Sequence, residues 1–379
     1  MERVAFGHEI AMKVTVIPGR RLASEHVEAW AALQAADPAL SSPFLSPEFT
    51  LAVAAARDDV YVGVLEDGGA PVGFFPHQRD RLAIGRPVGG CLNNLQGVIV
   101  DRRVHWDAQQ VVRECGLIAW AFSRLLASQT PFERFHVARD ASMFIDLSHG
   151  YALYAAEKSR VIGLDRLARK ARKFERDAGE LRFELQAADA GVLETLMRWK
   201  AERHALSGYA DVYAVPWARH VIQQMHATQG ARFGGVLSAL YAGDEVAAVH
   251  MGLRARDLWH SWFIAYASRF ARYSPGLLLY VKMAEHAASA GLSRIELGGG
   301  DYGYKRALMN QSIAVAEGAV DRLPGIGAVR KWGHAGADAI RQSPLLRPPA
   351  RTLLRACRRV KHAVLHAHFD YERRQHPRL

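Results

Sequence analysis

The chain of 379 residues carries 49 Lys plus Arg against 38 Asp plus Glu, a formal charge of +11, with half of its residues hydrophobic and 23% charged. This balance excludes a disordered chain, and the length suits about two domains with cores of their own. Cys91, Cys115 and Cys357 are too few and too widely spaced for a disulfide framework or a metal knuckle, which fits a reducing cytoplasm. From the N-terminus, residues 13–17 (KVTVI) predict a strand, and 24–36 a helix with Val27, Trp30, Ala31 and Leu33 on one side. Pro43, Ser46 and Pro47 mark a break before a short helix over 48–56. VYVGVLED and PVGFFPHQRD read as strands joined by a hairpin turn at Asp67-Gly68-Gly69. IGRPVGGCLNNLQGVIVD reads as loop and strand, followed by an apolar helix over about 107–127 and strands in FERFHVARD and MFIDLS.

The second half opens near residue 160 with a charge-rich helix, LDRLARKARKFERDAGEL, that closes at Gly179. A strand in RFELQAA, helices over 192–205 and 217–228, and three strands follow: FGGVLSALYAG, EVAAVHMGLRA and LWHSWFIAYAS. Then come SPGLLLYVKMAEHAASAG, a helix primed by proline, and RIELGGG, a strand ending in glycines. Both halves share a mixed plan that suggests duplication, although no sequence identity joins them. No run reaches the roughly 18 apolar residues of a membrane span, and the opening segment lacks the apolar core of a secretory signal.

The positive charge is unevenly placed. From Arg341 to Leu379 there are ten Lys or Arg and two Asp or Glu, so the first 340 residues are close to balanced. PPARTLLRACRRVKHAVLHAHFDYERR reads as a basic amphipathic helix, suited either to packing on the body or to lying on anionic lipid at the inner face of a membrane. The run Arg166, Arg169, Lys170, Arg172, Lys173 and Arg176 reads as a solvated helix face or as a phosphate contact.

The informative stretch is SRFARYSPGLLLYVKMAEHAASAGLSRIELGGGDYGYKRALMN, residues 268–310. Ser274 suits a helix N-cap, Pro275 the first helical position, and Gly276 leaves the first turn open to close approach. Such a helix end offers N–H donors and a positive dipole to a pyrophosphate, with Arg269 and Arg272 close in sequence. The same residues also read as a plain capped helix after a surface turn. In EVAAVHMGLRA, alternation puts His250 on the face of Val246 and Ala248, where a neutral imidazole could act as base or simply be hydrogen-bonded within a sheet. Glu296 in RIELG is a second base candidate, because a carboxylate in a buried strand is costly unless it is paired or functional.

Strand hairpin, strand, capped helix, strand and then an acidic, aromatic and basic cluster resemble the GNAT acyltransferase core. YSPGLLLYVKMAEHAASAGLSRIELGGGDYGYKRAL, with RLARKARKFERDAGELRFE and FLSPEF, is similar more narrowly to the CelD/Fem-like acetyltransferase group over about residues 40–320. The resemblance implies an α/β (α+β) fold of tandem GNAT-like domains, over 1–155 and 156–325, with mixed, mostly antiparallel sheets flanked by helices and a basic helical tail over 326–379. It implies direct transfer of an acetyl or other acyl group from acyl-CoA, with no metal, to an amine or hydroxyl of a small or carrier-linked saccharide precursor of the cell envelope. Nucleic acid enters only under the alternative of an aminoacyl-tRNA-dependent Fem-like transferase. A third reading is a non-catalytic GNAT-fold component of a polysaccharide system. Arg269, Arg272, Tyr273, Ser274, Pro275, Gly276 and Leu277 take the place of the usual pyrophosphate signature, which is missing. Tyr304 falls near the place of a thiolate-protonating tyrosine, with Lys305 beside it to lower its pKa. Asp301 would orient Lys305 or bind the acceptor's amine, and Lys200, Arg203, His204 and Tyr209 gather where GNAT relatives contact acceptors.

Overall fold

Alternating apolar residues on either side of a two-glycine turn leave the first half little choice but a hairpin. In the computed structural model, which describes residues 12–207, 211–300 and 302–322, β1 (Lys13–Pro18) leads through α1 (Ser24–Ala36) and α2 (Pro47–Ala56) to the hairpin of β2 (Val60–Asp67) and β3 (Ala70–Arg79). β4 (Ile84–Arg86), β5 (Ile99–Val100), α3 (Ala108–Glu114), β6 (Ala119–Leu126) and β7 (His136–Asp146) complete this half. The second half runs α4 (Tyr151–Ile162), α5 (Leu164–Ala178), β8 (Leu181–Glu184), α6 (Ala190–Ser207), α7 (Pro216–Ala227), β9 (Phe233–Ala242), β10 (Glu245–Ala255) and β11 (Leu258–Tyr266). It ends with α8 (Pro275–Ser289), β12 (Arg294–Gly298), α9 (Gly303–Leu308) and β13 (Gln311–Asp321).

These strands join one sheet in the order β1-β2-β3-β4-β6-β13-β7-β12-β11-β10-β9-β8, with β5 on β3. The order is a palindrome: exchanging β1 with β8, β2 with β9, β3 with β10, β4 with β11, β6 with β12 and β7 with β13 reads it backwards. The two parallel pairs, β4 with β6 and β11 with β12, occupy equivalent places, and α3 and α8 are the helices that connect them. The duplication hidden in the sequence is therefore explicit in the strand order. β7 and β13 have changed sides, β13 pairing with β6 of the first half and β7 with β12 of the second. Mixed α/β architecture with a mostly antiparallel sheet is what the sequence led one to expect.

On one sheet face, α1, α2, α6 and α7 bury a single core in which Trp30, Phe44 and Phe49 of the first half join Leu196, Val221 and Met251 of the second. Each such side chain contributes roughly 1.5–3 kcal/mol by leaving water. Opposite it, α4, α5 and α8 close a second core around Phe174, Trp259 and Ile295, and α3 a third around Phe75 and Trp120. No helix among the described residues is long and apolar enough to cross a membrane.

Four local expectations need correction. The helix over 107–127 is really α3, stopped by Gly116 at φ +68, and then β6, because a strand flanked on both sides carries a continuous apolar run that mimics a helix. FERF is 3-10 helix, and the two strands expected around 136–147 are one, β7. The charge-rich helix is α5, preceded by the unforeseen α4, with Gly163 at φ +71 between them. β13 was not foreseen. The basic tail lies outside the described residues.

Candidate active site

β11 and β12 are paired only from Leu258 against Arg294 to His260 against Glu296. Past that point β11 runs on beside β10 as far as Tyr266, while β12 ends at Gly298, so the two parallel strands part. Ile295 and Leu297 point into the core under α8, which turns Glu296 to the other face, beside His260. His260 Nδ1 lies 2.9 Å from Glu296 Oε2 and its Nε2 lies 3.1 Å from Asn94 Nδ2. The tautomer that satisfies both donates Nδ1–H to the carboxylate and accepts the Asn94 amide at Nε2. Ser42 Oγ donates to the same carboxylate oxygen at 3.4 Å, and Phe44 meets the imidazole edge-on at 4.7 Å. His260 is 1% and Glu296 3% exposed. Burial pushes the His260 pKa down, against the pull of Glu296, and favours the neutral ring.

The second oxygen of Glu296 is differently placed. Its nearest cation, Arg294 Nη1, is 3.9 Å away, beyond hydrogen-bond reach. Glu296 borders a cavity of about 350 Å³ that Ser41, Leu126, Ser128, Arg294, Ile313 and Ala314 help to line. A wider groove of about 690 Å³, open over the first half, shares Ala39, Leu126 and Ser128 with it. A buried carboxylate with one oxygen anchored, in a residue that borders a cavity, is placed to accept a proton. His260 escaped sequence reasoning because LWHSWFIAYAS reads as a simple apolar strand. The available signal was positional: His260 and Glu296 are each third in the strands flanking α8, and a parallel β-α-β unit sets such residues side by side.

His250, the other base candidate, is a core residue. Neither ring nitrogen has a hydrogen-bond partner, Trp259 packs edge-on at 5.2 Å, and burial with the neighbouring His260 drives the pKa down to about 3. Gly252 makes room for it, since a Cβ there would come within 2.6 Å of the imidazole.

At the start of α8, Ser274 is left-handed at φ +60 and its side chain does not cap the helix. Its Oγ instead accepts a 2.7 Å hydrogen bond from Lys170 Nζ, which brings the basic face of α5 to this helix end. Pro275 is at the first helical position as expected, and Gly276 faces the Tyr266 ring, 3.3 Å from where a Cβ would stand. Leu277 packs at the rim of the core. Arg269 is paired with Glu245, and Arg272 lies 3.8 Å from Asp177. Tyr273 is buried, stacked on Phe174 at 4.4 Å with its hydroxyl on Asp177, and is a packing residue. The equivalent helix end in the first half is already filled, for Asp107 caps α3 and pairs with Arg134. The strand gap there is closed too: a Cβ on Gly85 would meet Leu117 at 2.7 Å and Trp120 at 2.9 Å.

Beyond β12, Lys305 is 8% exposed and donates from Nζ to Gly299 O at 2.7 Å. Burial, with Arg124 and Lys200 nearby, brings its pKa down to about 8. Tyr304 stacks on Tyr280 at 5.8 Å, and Tyr280 shares a 2.8 Å hydrogen bond with Ser261. Burial raises the Tyr304 pKa, the reverse of the effect expected from Lys305, and keeps the phenol protonated. Arg203 lies over the Tyr266 ring at 5.3 Å, whereas His204 stacks on Tyr213, away from the gap. Asp301 and Tyr209 lie outside the described residues.

Lys305 carries a pH signature. Its folded pKa lies below the unfolded value, so above about pH 8 the native state sheds a proton that the unfolded chain keeps, and stability rises with pH. Thermal melts from pH 7 to pH 9.5 are expected to show this rise in the native protein and a flatter profile for Lys305→Met. Parallel profiles would assign the rise to other groups.

A family model described as "Acetyltransferase (GNAT) domain" matches residues 164–306. No curated protein sequence matches significantly. Among solved structures, the C-terminal domain of a protein described as a lysylphosphatidylglycerol synthetase from Agrobacterium fabrum superposes with a TM-score of 0.51 at 13% identity, covering 83% of this chain and 96% of that one. FemX superposes with a TM-score of 0.51 at 9% identity, covering 77% and 94%. At these identities the likeness is one of fold. The parting parallel strands, the helix between them and the match over 164–306 agree, and the chain has a mixed α/β, GNAT-like fold whose second half is similar to that acetyltransferase family.

Proposed function

We propose that the chain is an acyltransferase that moves an acetyl or similar acyl group from acyl-CoA to an amine, or a hydroxyl, of a saccharide-type acceptor. The observation that carries this reading is the His260–Glu296 pair at the point where β11 and β12 part, with Glu296 bordering a cavity. The donor's pyrophosphate is met by the first turn of α8 and by Lys170, and its thioester enters the gap between the strands. Glu296, steadied by His260 and Ser42, takes the proton of the acceptor's nucleophile as that atom bonds to the acyl carbon. The C–S bond then breaks, and Tyr304, held neutral, returns a proton to the CoA thiolate. The acceptor class rests on the resemblance to the CelD/Fem-like group alone.

Thermal-shift titration tests the donor. Acetyl-CoA and CoA are expected to stabilise the chain; stabilisation by aminoacyl-tRNA alone would replace acyl-CoA with charged tRNA, and stabilisation by none would favour a non-catalytic role. Gly276→Asp sets a carboxylate at the helix end and is expected to weaken acetyl-CoA binding about tenfold or more without unfolding the chain. Unchanged affinity would remove α8 from the donor site.

A further inference from the structure

Arg124 and Lys305, from β6 and α9, meet at the glycine turn that follows β12, and the charge of Lys200, on α6, acts on Lys305. Gly298 and Gly300 have φ of +70 and +93, so this turn is glycine-dependent, and it leaves the Gly299 carbonyl to Lys305 Nζ. Arg124 reaches the same residue from the first half, its Nη1 only 2.9 Å from where a Gly299 Cβ would stand. Lys200 is close enough that it and Arg124 both oppose the charge on Lys305. Among the described residues none of the three is paired with a carboxylate, and Asp140 acts on Arg124 only at a distance. Removing positive charges from water without a counter-charge is expensive. Two of them at one turn, Lys305 buried and Arg124 half-buried, with the charge of the half-buried Lys200 acting on Lys305, make an arrangement completed by an anion.

The surroundings indicate what accompanies that anion. Tyr302 and Tyr304, 57% and 40% exposed, stand beside the cations with their rings 6.1 Å apart, and the Lys305 ammonium lies 5.4 Å from the centre of the Tyr302 ring. Exposed aromatic rings beside a group of cations suit the flat side of a ring. A single carboxylate is satisfied by one arginine, whereas a phosphoryl group, with up to two charges and three acceptor oxygens, matches three separate cations.

We propose that Arg124, Lys200 and Lys305 form a subsite for the phosphoryl group of a ring-bearing phosphomonoester, the acceptor's anionic end, with its ring against Tyr302 and Tyr304. This names the acceptor class and rests on the acyltransferase reading only for the word acceptor, because the subsite itself needs no acyl transfer. The α8 end is a separate phosphate contact, built from Lys170 and the helix rather than from these cations.

Calorimetric titration of the full chain with glucosamine 6-phosphate, glucosamine, inorganic phosphate and glucuronic acid tests the subsite. The expected order is glucosamine 6-phosphate above phosphate, with glucosamine and glucuronic acid at least tenfold weaker than the sugar phosphate. Arg124→Gln and Lys200→Gln are each expected to lower glucosamine 6-phosphate affinity about tenfold or more and to leave acetyl-CoA affinity within twofold, as befits the loss of one charge-assisted contact. Arg124→Lys, which keeps the charge, should recover much of the loss and so separates an electrostatic effect from misfolding. Equal binding of glucosamine and its phosphate would overturn the proposal, as would tighter binding of glucuronic acid. So would a loss caused by Lys170→Gln and not by the two subsite variants. If acetyl-CoA fails to bind while the sugar phosphate still does, the donor reading falls and the subsite stands.

Discussion

Glu296→Gln is expected to lower kcat by about 10²–10⁴-fold, the usual contribution of a positioned proton acceptor, and to leave the Kd for acetyl-CoA unchanged. Glutamine keeps the volume and an oxygen to accept His260 Nδ1–H, so the hydrogen bond that now spans 2.9 Å survives and the fold with it. What disappears is the basic carboxylate that borders the cavity. Release of free CoA, followed with a thiol reagent at saturating acetyl-CoA, measures the effect. A variant that keeps half or more of its turnover would move proton acceptance away from Glu296. Leu126, Ile313 and Ala314, contributed by β6 and β13, wall the same cavity, so the base works in a space that both halves of the chain build.

Gly318→Val is expected to prevent folding of the whole molecule. A Cβ on Gly318 would stand 2.1 Å from the Phe135 carbonyl oxygen and 2.8 Å from the Phe122 ring, and the first of these is backbone that cannot swing aside. Register shifts occur at this residue in the pairing of β13 with both neighbours, so the ladder is already bent here to make room. Forced overpacking costs about 1–3 kcal/mol where side chains can yield, and more where they cannot. Because β13 joins β6 to β7, the loss should appear as one cooperative collapse seen by circular dichroism and proteolysis. A variant that melts within a few degrees of the native protein would show that the bulge adapts.

Most elements with a clear period and punctuation were legible in the sequence. The helix over 24–36, the hairpin at Gly68-Gly69 and the proline-primed α8 are each specified by residues close together in the chain. The failures concern strands whose identity depends on distant neighbours. β6 reads as a helix because it is apolar on both faces, and β13, with its small residues and Gly318, carries a weak strand signal without the partners that bury it. At the candidate site, burial cost and the family pattern drew attention to Glu296, Lys305 and Tyr304, which lie on or just after β12. They did not do so for His260 and Arg124, since each gains its meaning from a residue far away, Glu296 for one and the glycine turn for the other. For His250 both readings stayed open, because alternation tells which face a side chain takes and not whether water or a partner awaits it there.

The exchange of β7 and β13 bears on how the protein is made. When a ribosome has completed β6 and β7, β6 has β4 on one side but awaits on the other a strand that begins at Gln311, and β7 awaits both that strand and β12. The first half therefore emerges with three unsatisfied strand edges, which are adhesive to other nascent chains, and they are not all closed until about 165 further residues are synthesised. Such long-range closure slows folding and ties the halves into one cooperative event. Separately expressed halves would each display the missing neighbour's slot, and mixing them is expected to restore the sheet by complementation.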